Sequence, residues 1–373
     1  MSLKKKTFFG MVWNSISSFS ITGLNFVITA ILARLLSPQA FGTMGMIQIV
    51  IGLVTMLNEF GLSSAIIQDN ELDSLKISSL FYVNIIIGIL MTIITFFASS
   101  LIASFFNEPQ LKEMVQLISV VFIIISAGFI QRSLMRKNMQ FKKLFNADII
   151  SIILYGVISI TLAYNGFGVY SLIIGYLAKS LFKAILYHVF NPWYPGLEFD
   201  FNKIKDSLNF GANVFGASVV NYVKRNFDYL IIGRILGAEA LGYYTLAYKL
   251  MLVPVRKIGG VINNTFFPSF SQIKNQPLKI KKYYLKVLSM IALITFPMMA
   301  GLFIVAPEFI NLVYGSDWSQ AIIVIQILTI VGALQSLSTT AGTIYYSQGR
   351  ADISLKYNLF TTVLLLIAFS LGV

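Results

Sequence analysis

The chain has 373 residues, of which 57% are hydrophobic, 14% aromatic and only 12% charged, and its mean hydropathy is +0.78. Globular domains are about 45–50% apolar and about 25% charged, so this composition excludes a water-soluble protein. The chain has no cysteine and one histidine, His188. Because metal sites in proteins are commonly built from thiolates and imidazoles, we expect neither a metal ion nor a cofactor.

Long apolar stretches recur along the whole chain, and each meets the length of about 20 residues that a bilayer-spanning helix needs. Short segments with proline, glycine or asparagine separate them, such as residues 37–39 and 107–109. The pattern predicts an all-α, polytopic integral membrane protein with about 11 transmembrane helices. The predicted spans are residues 9–35, 41–67, 77–106, 114–133, 147–164, 167–189, 207–236, 240–268, 284–313, 320–347 and 354–373.

Lysine and arginine are distributed unevenly over the two ends of these predicted spans. Most of the 28 fall on the side of the N-terminus, and only Arg34, Lys112 and Arg234 fall at the opposite ends. Cytoplasmic connections retain basic residues, so we predict a cytoplasmic N-terminus. The formal net charge of +13 is then a topological signal, and we expect no nucleic-acid partner.

Residues 33–42 and 233–242 share Arg, Leu, Ala and Gly at the same places. Both segments lie at the outer end of an odd-numbered span, which indicates a repeat of six spans; chance similarity between apolar helices is the alternative. The repeat predicts a six-helix bundle over 1–190, a cytoplasmic linker over 191–206 and a second bundle over 207–373. The last span ends without a polar flank, so we expect the natural protein to continue into a sixth helix of that bundle.

Two neighbouring predicted spans, 207–236 and 240–268, carry charged residues of the kind that are costly inside a bilayer and usually face a polar interior. Spacings of three and four residues place those of the first span on adjacent helical turns. In the second span, the spacing of four between Tyr244 and Tyr248 predicts that their rings stack. We predict a cationic, aromatic-lined cavity that attracts an anionic headgroup and stacks against sugar. The alternative is a structural ion-pair cluster with a lysine that extends to the interface. The predicted substrate-binding residues are Asn221, Lys224, Arg225, Asp228, Tyr244, Tyr248 and Lys249.

Other charged positions have simpler interpretations. The basic segment 135–146 contains Phe141 and Phe145, which favours an amphipathic piece on the anionic membrane surface. Asp148 is predicted to be an interfacial carboxylate. Arg34 and Arg234 occupy matching outer ends, where each either anchors its span or binds a lipid phosphate.

A family likeness is carried by the basic start of the chain, the repeat, and the strings LLSPQAFG at 35–42 and NEFGLSSAII at 58–67. The chain resembles the Wzx-type lipid-linked oligosaccharide flippases, in the polysaccharide transport branch of the multidrug/oligosaccharidyl-lipid/polysaccharide (MOP) exporter superfamily. The resemblance implies two six-helix bundles in a V, alternating access and location in the bacterial cytoplasmic membrane. It also implies further C-terminal spans, and cationic lumen residues that we match to Lys224, Arg225 and Lys249.

The same resemblance implies a substrate and partners. Members export undecaprenyl-pyrophosphate-linked repeat units to the outer face for surface polysaccharides such as exopolysaccharide or O-antigen. The implied partners are the lipid-linked oligosaccharide, membrane lipids and other polysaccharide assembly proteins.

Two other classes of function compete with this hypothesis. A cation-coupled multidrug antiporter of related fold should hold a buried carboxylate in its first bundle, but the first predicted span has no acidic residue. An enzyme needs catalytic carboxylates or a long outer loop, but the outer loops are short, and the sequence shows no metal-binding carboxylate pair, Ser/His/Asp set or phosphate-binding glycine loop. We therefore predict a transporter that is not an enzyme.

Overall fold

The computed structural model describes residues 3–59, 62–69, 72–273 and 276–338, together with scattered positions between 340 and 364. These residues form helices, turns and loops, and no strand occurs among them. One 3-10 turn, Ser316–Trp318, precedes the last described helix. The helices are α1 (Leu3–Leu35), α2 (Pro38–Glu59), α3 (Leu62–Gln68), α4 (Ser74–Phe106), α5 (Leu111–Ser119), α6 (Val121–Lys137), α7 (Phe141–Tyr164), α8 (Val169–Phe190), α9 (Phe201–Ile235), α10 (Gly237–Gln272), α11 (Pro277–Val313) and α12 (Gln320–Ser338).

Eight segments of the described chain are long and apolar enough to cross a membrane. They lie in α1, α2, α4, the α5–α6 pair, α7, α8, α11 and α12. The helices α9 and α10 are not among the eight, although they are 35 and 36 residues long. The prediction of an all-helical, multi-pass membrane protein is confirmed at this level.

Two predicted spans are each divided between two helices. Span 41–67 corresponds to α2 and α3, which lie on either side of residues 60 and 61. Span 114–133 corresponds to α5 and α6, and between them Val120 has φ −58° and ψ −21°. The helical backbone conformation therefore continues through Val120. The predicted span 354–373 falls mostly outside the described residues.

The chain divides into two compact units, Met1–Ala238 and Glu239–Val373. Helix α9 belongs to the first unit, where it packs against α2, α3 and α4. The boundary between the units thus lies one helix after the predicted linker. The predicted division into two six-helix bundles stays a prediction.

The predicted linker packs against α4 inside the first unit. Trp193 lies edge-on to Phe81 with ring centroids 6.0 Å apart. The Tyr82 hydroxyl donates to the Gly196 carbonyl at 2.9 Å, and the Gly196 N–H donates to Ser78 Oγ at 2.9 Å. These contacts fix the segment that leads from α8 into α9, and so they help to set the position of α9.

The two repeated segments occupy equivalent helix boundaries. Helix α1 ends at Leu35 and α9 ends at Ile235, a spacing of 200 residues, and the next helices begin at Pro38 and Gly237. The sequence match at 33–42 and 233–242 therefore coincides with the same structural event, a long helix that ends and is followed at once by another. Chance similarity between apolar helices does not require that coincidence.

Arg234 anchors the end of α9 to the end of α4. Its Nη1 donates to the Ser104 carbonyl at 2.7 Å and to Asn107 Oδ1 at 3.0 Å, and it also contacts the Phe105 carbonyl. Asn107 closes α4 in the left-handed conformation with φ 57°. Helix C-termini expose carbonyls that attract cations. The anchoring interpretation of Arg234 thus has a defined partner in α4.

Candidate substrate-binding site

Four of the predicted site residues lie along one face of α9. Asn221 and Arg225 are exposed, Lys224 is half-buried, and Asp228 is buried with 7% of its surface accessible. Positions three and four apart on a helix are neighbours on its surface. The face thus presents two cations at its accessible positions, with a carboxylate one turn further along in a buried position.

Tyr222 lies on a neighbouring face of α9 and attaches this helix to α2. The attachment positions the face that carries the predicted site residues. Its hydroxyl donates to the Ile49 carbonyl at 2.8 Å. Gly52 leaves the space for the ring, because a Cβ atom at that position would lie 2.1 Å from the Tyr222 hydroxyl oxygen. With Tyr222 held against α2, the side chains of Lys224 and Arg225 project from a fixed helix.

The other three predicted residues lie on α10. The rings of Tyr244 and Tyr248 are stacked, with centroids 5.6 Å apart and an interplanar angle of 23°, which confirms the stacking predicted from their spacing. Both tyrosines are half-buried, and Lys249 is exposed. An aromatic pair beside a cation is suited to binding a sugar that carries an anionic group.

Tyr243 has a different, structural role. Its hydroxyl donates to Glu239 Oε1 at 2.9 Å and to the Asp317 carbonyl at 3.3 Å. Its ring also meets Trp318 edge-on, with centroids 6.1 Å apart. Tyr243 therefore ties the start of α10 to the turn before α12 and is not part of the stacked pair.

The predicted site residues are thus distributed over both compact units. The four on α9 belong to the first unit and the three on α10 to the second. The predicted residues on each helix lie within two turns of one another. Their joint role as one substrate-binding site stays a prediction.

A second concentration of charge lies entirely within the first unit. A cavity of about 420 Å³ is bounded by side chains from α1, α3, α6, α7 and α8. Lys183 Nζ lies 2.5 Å from Asp148 Oδ1 in an ion pair at this cavity. We call it the basic cavity, and its lining includes Arg132, Arg136, Phe141, Phe145, Asp148 and Lys183.

From the sequence alone, the residues of the basic cavity are interpreted as part of a membrane-surface segment, as an interfacial carboxylate or as basic residues that set the topology. The available signal for a site is the spacing of four between Arg132 and Arg136, which places both on one face of α6. Lys183 lies on α8, two helices further along the chain. Chain order gives no sign that α6 and α8 bring these side chains to one cavity.

The fold defines a class of protein. The fold matches that of a multidrug resistance MATE family transporter of the MOP superfamily, solved in an inward-facing conformation, with a TM-score of 0.71, 16% identity and coverage of 95% of this chain and 88% of that one. It also matches the lipid II flippase MurJ in an inward closed conformation, with a TM-score of 0.71, 18% identity and coverage of 91% and 76%. At these identities the two structures establish the fold alone. The protein is a multi-pass membrane protein with the fold of these two structures.

The sequence comparisons assign the family. Residues 31–323 match the family model described as polysaccharide biosynthesis protein. The lipopolysaccharide biosynthesis protein WzxC of Escherichia coli (strain K12) is 33% identical over 100% of this chain and 76% of its own length. The chain belongs to the polysaccharide biosynthesis protein family, and the resemblance drawn from the sequence is confirmed.

Proposed function

We propose that this protein is a flippase that moves lipid-linked oligosaccharide repeat units from the cytoplasmic to the outer face of the bacterial cytoplasmic membrane. The substrate class is an oligosaccharide attached to undecaprenyl pyrophosphate, for use in surface polysaccharide synthesis. Membership of the polysaccharide biosynthesis family is the observation that carries the proposal. The similarity to WzxC along the whole chain supports it.

In this proposal the headgroup binds to the polar faces of α9 and α10. Lys224, Arg225 and Lys249 attract the pyrophosphate, because guanidinium and ammonium groups are the side chains that pair with phosphate oxygens. The stacked pair of Tyr244 and Tyr248 offers a flat surface to the sugar. The remaining predicted residues have supporting roles: the Asn221 amide adds hydrogen bonds and the Asp228 carboxylate limits the local excess of positive charge.

Transport proceeds by alternating access between two helical bundles arranged in a V, with about 11 transmembrane helices in this chain and a cytoplasmic N-terminus. The polyprenyl tail stays in the lipid while the headgroup crosses. Only a difference in the affinity of the substrate for the two orientations shifts the equilibrium between them. The protein moves its substrate without changing it chemically, and other polysaccharide assembly proteins supply and consume that substrate.

The proposal is tested in cells that lack the gene. Undecaprenyl-linked glycan should accumulate, as measured by mass spectrometry of extracted lipids, and the wild-type gene should remove the accumulated lipid. Lys249→Glu should reduce export about tenfold or more, since it replaces a charge-assisted contact with repulsion. Lys279→Glu is the matched control, because it makes the same charge reversal at an exposed position near the start of α11.

Both variants must first reach wild-type abundance in the membrane. Unchanged lipid pools in cells without the gene would contradict the proposed function. Normal export by a well-expressed Lys249→Glu variant would remove Lys249 from the binding site while leaving the function in place.

A further inference from the structure

The lining of the basic cavity is rich in positive charge. Three basic side chains, Arg132, Arg136 and Lys183, line it together with the carboxylate of Asp148. The two arginines lie on adjacent turns of α6, where like charges repel each other. An anion entering the cavity therefore meets a described lining with three basic side chains and one acidic side chain.

The volume and the lining of the cavity suit a ligand with an anionic group. Its volume of about 420 Å³ lies within the range of about 300–1,000 Å³ that is typical of ligand sites. Phe141 and Phe145 line it beside the charged groups, so the cavity has an apolar wall as well as a basic one. A ligand with an anionic head and a hydrocarbon part would match both.

Backbone polarity adds to the side-chain charge. Helix α7 begins at Phe141, and Gln140 at its N-cap makes no side-chain capping hydrogen bond. The N-terminal end of a helix carries a partial positive charge and exposes N–H donors, which favours phosphate. Arginine side chains bind phosphate through two parallel hydrogen bonds. Side-chain and backbone groups therefore favour the same kind of ligand.

We propose that the basic cavity binds the phosphate group of a membrane lipid. The shared chemistry is a lipid phosphate, supplied either by an anionic glycerophospholipid or by a polyprenyl pyrophosphate. The site uses none of the residues assigned to the headgroup on α9 and α10. Its test therefore gives a result separate from the test of the proposed function.

The test uses the full chain, purified and reconstituted in nanodiscs of phosphatidylcholine with increasing phosphatidylglycerol. Native mass spectrometry counts the phosphatidylglycerol molecules that stay bound after the protein is released from the nanodisc. The Arg132→Gln/Arg136→Gln variant should weaken retention about tenfold or more. The matched control is Lys281→Gln/Lys282→Gln, which removes the same charge from exposed positions of α11 outside the described lining of the cavity.

A second arm adds farnesyl pyrophosphate, with farnesol as its uncharged control. Displacement of phosphatidylglycerol by farnesyl pyrophosphate at low concentration assigns the cavity to prenyl pyrophosphates, whereas retention of phosphatidylglycerol assigns it to phospholipid. Equal losses of binding in the arginine and lysine variants, or no loss in either, would overturn the proposal. If the double arginine variant fails to fold, Arg136→Gln at the exposed position gives the same comparison against Lys281→Gln.

Discussion

Asp73 acts at the junction of two helices. Its carboxylate caps α4 by accepting the Lys76 N–H at 2.7 Å, and it pairs with Lys203 at the start of α9. The hydrogen bond from Lys203, followed by that from the Lys76 backbone, lowers the pKa of Asp73 below 3.8. The contact with Asp73 raises the pKa of Lys203 above 10.5.

The pair predicts a pH-dependent contribution to stability. Because the pKa of Asp73 is lowered in the folded protein, its contribution is complete above pH 3.8 and is lost as the pH falls through the folded value. Asp73→Asn keeps a capping side chain and loses the charge, so it should lower the melting temperature slightly at pH 7. Asp73→Ala loses the cap as well and should lower it further.

The measurement is thermal unfolding in detergent from pH 3 to pH 8, with expected differences on the order of a few degrees for exposed groups of this kind. The difference between wild type and Asp73→Asn should shrink as the pH falls below 3.8. A difference that stays constant across this range would show that the ion pair does not contribute.

Residue spacing predicted some of the side-chain contacts in the structure and not others. The stacking of Tyr244 on Tyr248 follows from positions four apart on one helix. The contact of Arg234 with the Ser104 carbonyl joins residues 130 positions apart, and local spacing carries no information about it. The basic cavity was missed for the same reason, since it depends on the packing of several helices.

At the scale of helices, α6 and α8 approach closely at a small-residue contact. A Cβ atom added at Gly128 would lie 3.0 Å from the Cα atom of Ala184. Because that neighbour is backbone, a side-chain rotation cannot relieve the contact. Small residues commonly allow such close approach between membrane helices.

Gly128→Val should therefore destabilise the protein by about 1–3 kcal/mol. Gly23→Val is the control, since a Cβ atom at Gly23 meets nothing within 4 Å among the described residues, and both changes have the same effect on helix propensity. Thermal unfolding of the two purified variants makes the comparison. Equal melting temperatures would show that α6 and α8 adjust without cost.

Apolar run length predicted most helices but not their interruptions. Hydropathy alone does not distinguish the single span predicted at 114–133 from the α5–α6 pair, because the sequence around Val120 is mostly apolar and contains no proline or glycine. The assignment of α9 to a compact unit also depends on packing against α2, α3 and α4, which periodicity does not report.

At the scale of the whole molecule, the proposed topology places the α6–α7 connection in the cytoplasm and the α7–α8 connection outside. The chain has no cysteine, so single cysteines can be introduced without a background. Asn138→Cys and Asn165→Cys are a matched pair at exposed positions in these two connections.

A membrane-impermeant maleimide should label Asn165→Cys in intact spheroplasts and Asn138→Cys only after the membrane is opened. Both variants should be labelled equally after solubilisation in detergent. The reverse pattern would invert the topology, and labelling of both in spheroplasts would contradict the crossing of α7.

The central claim is that this protein moves a lipid-linked glycan across a bilayer. The most direct measurement reconstitutes the purified chain in vesicles that carry a fluorescent undecaprenyl-pyrophosphate-linked oligosaccharide, and follows its accessibility to an external quencher. The account predicts protein-dependent exchange between leaflets that Lys249→Glu reduces and Lys279→Glu does not. Exchange no faster than in protein-free vesicles, with folded protein present, would contradict it.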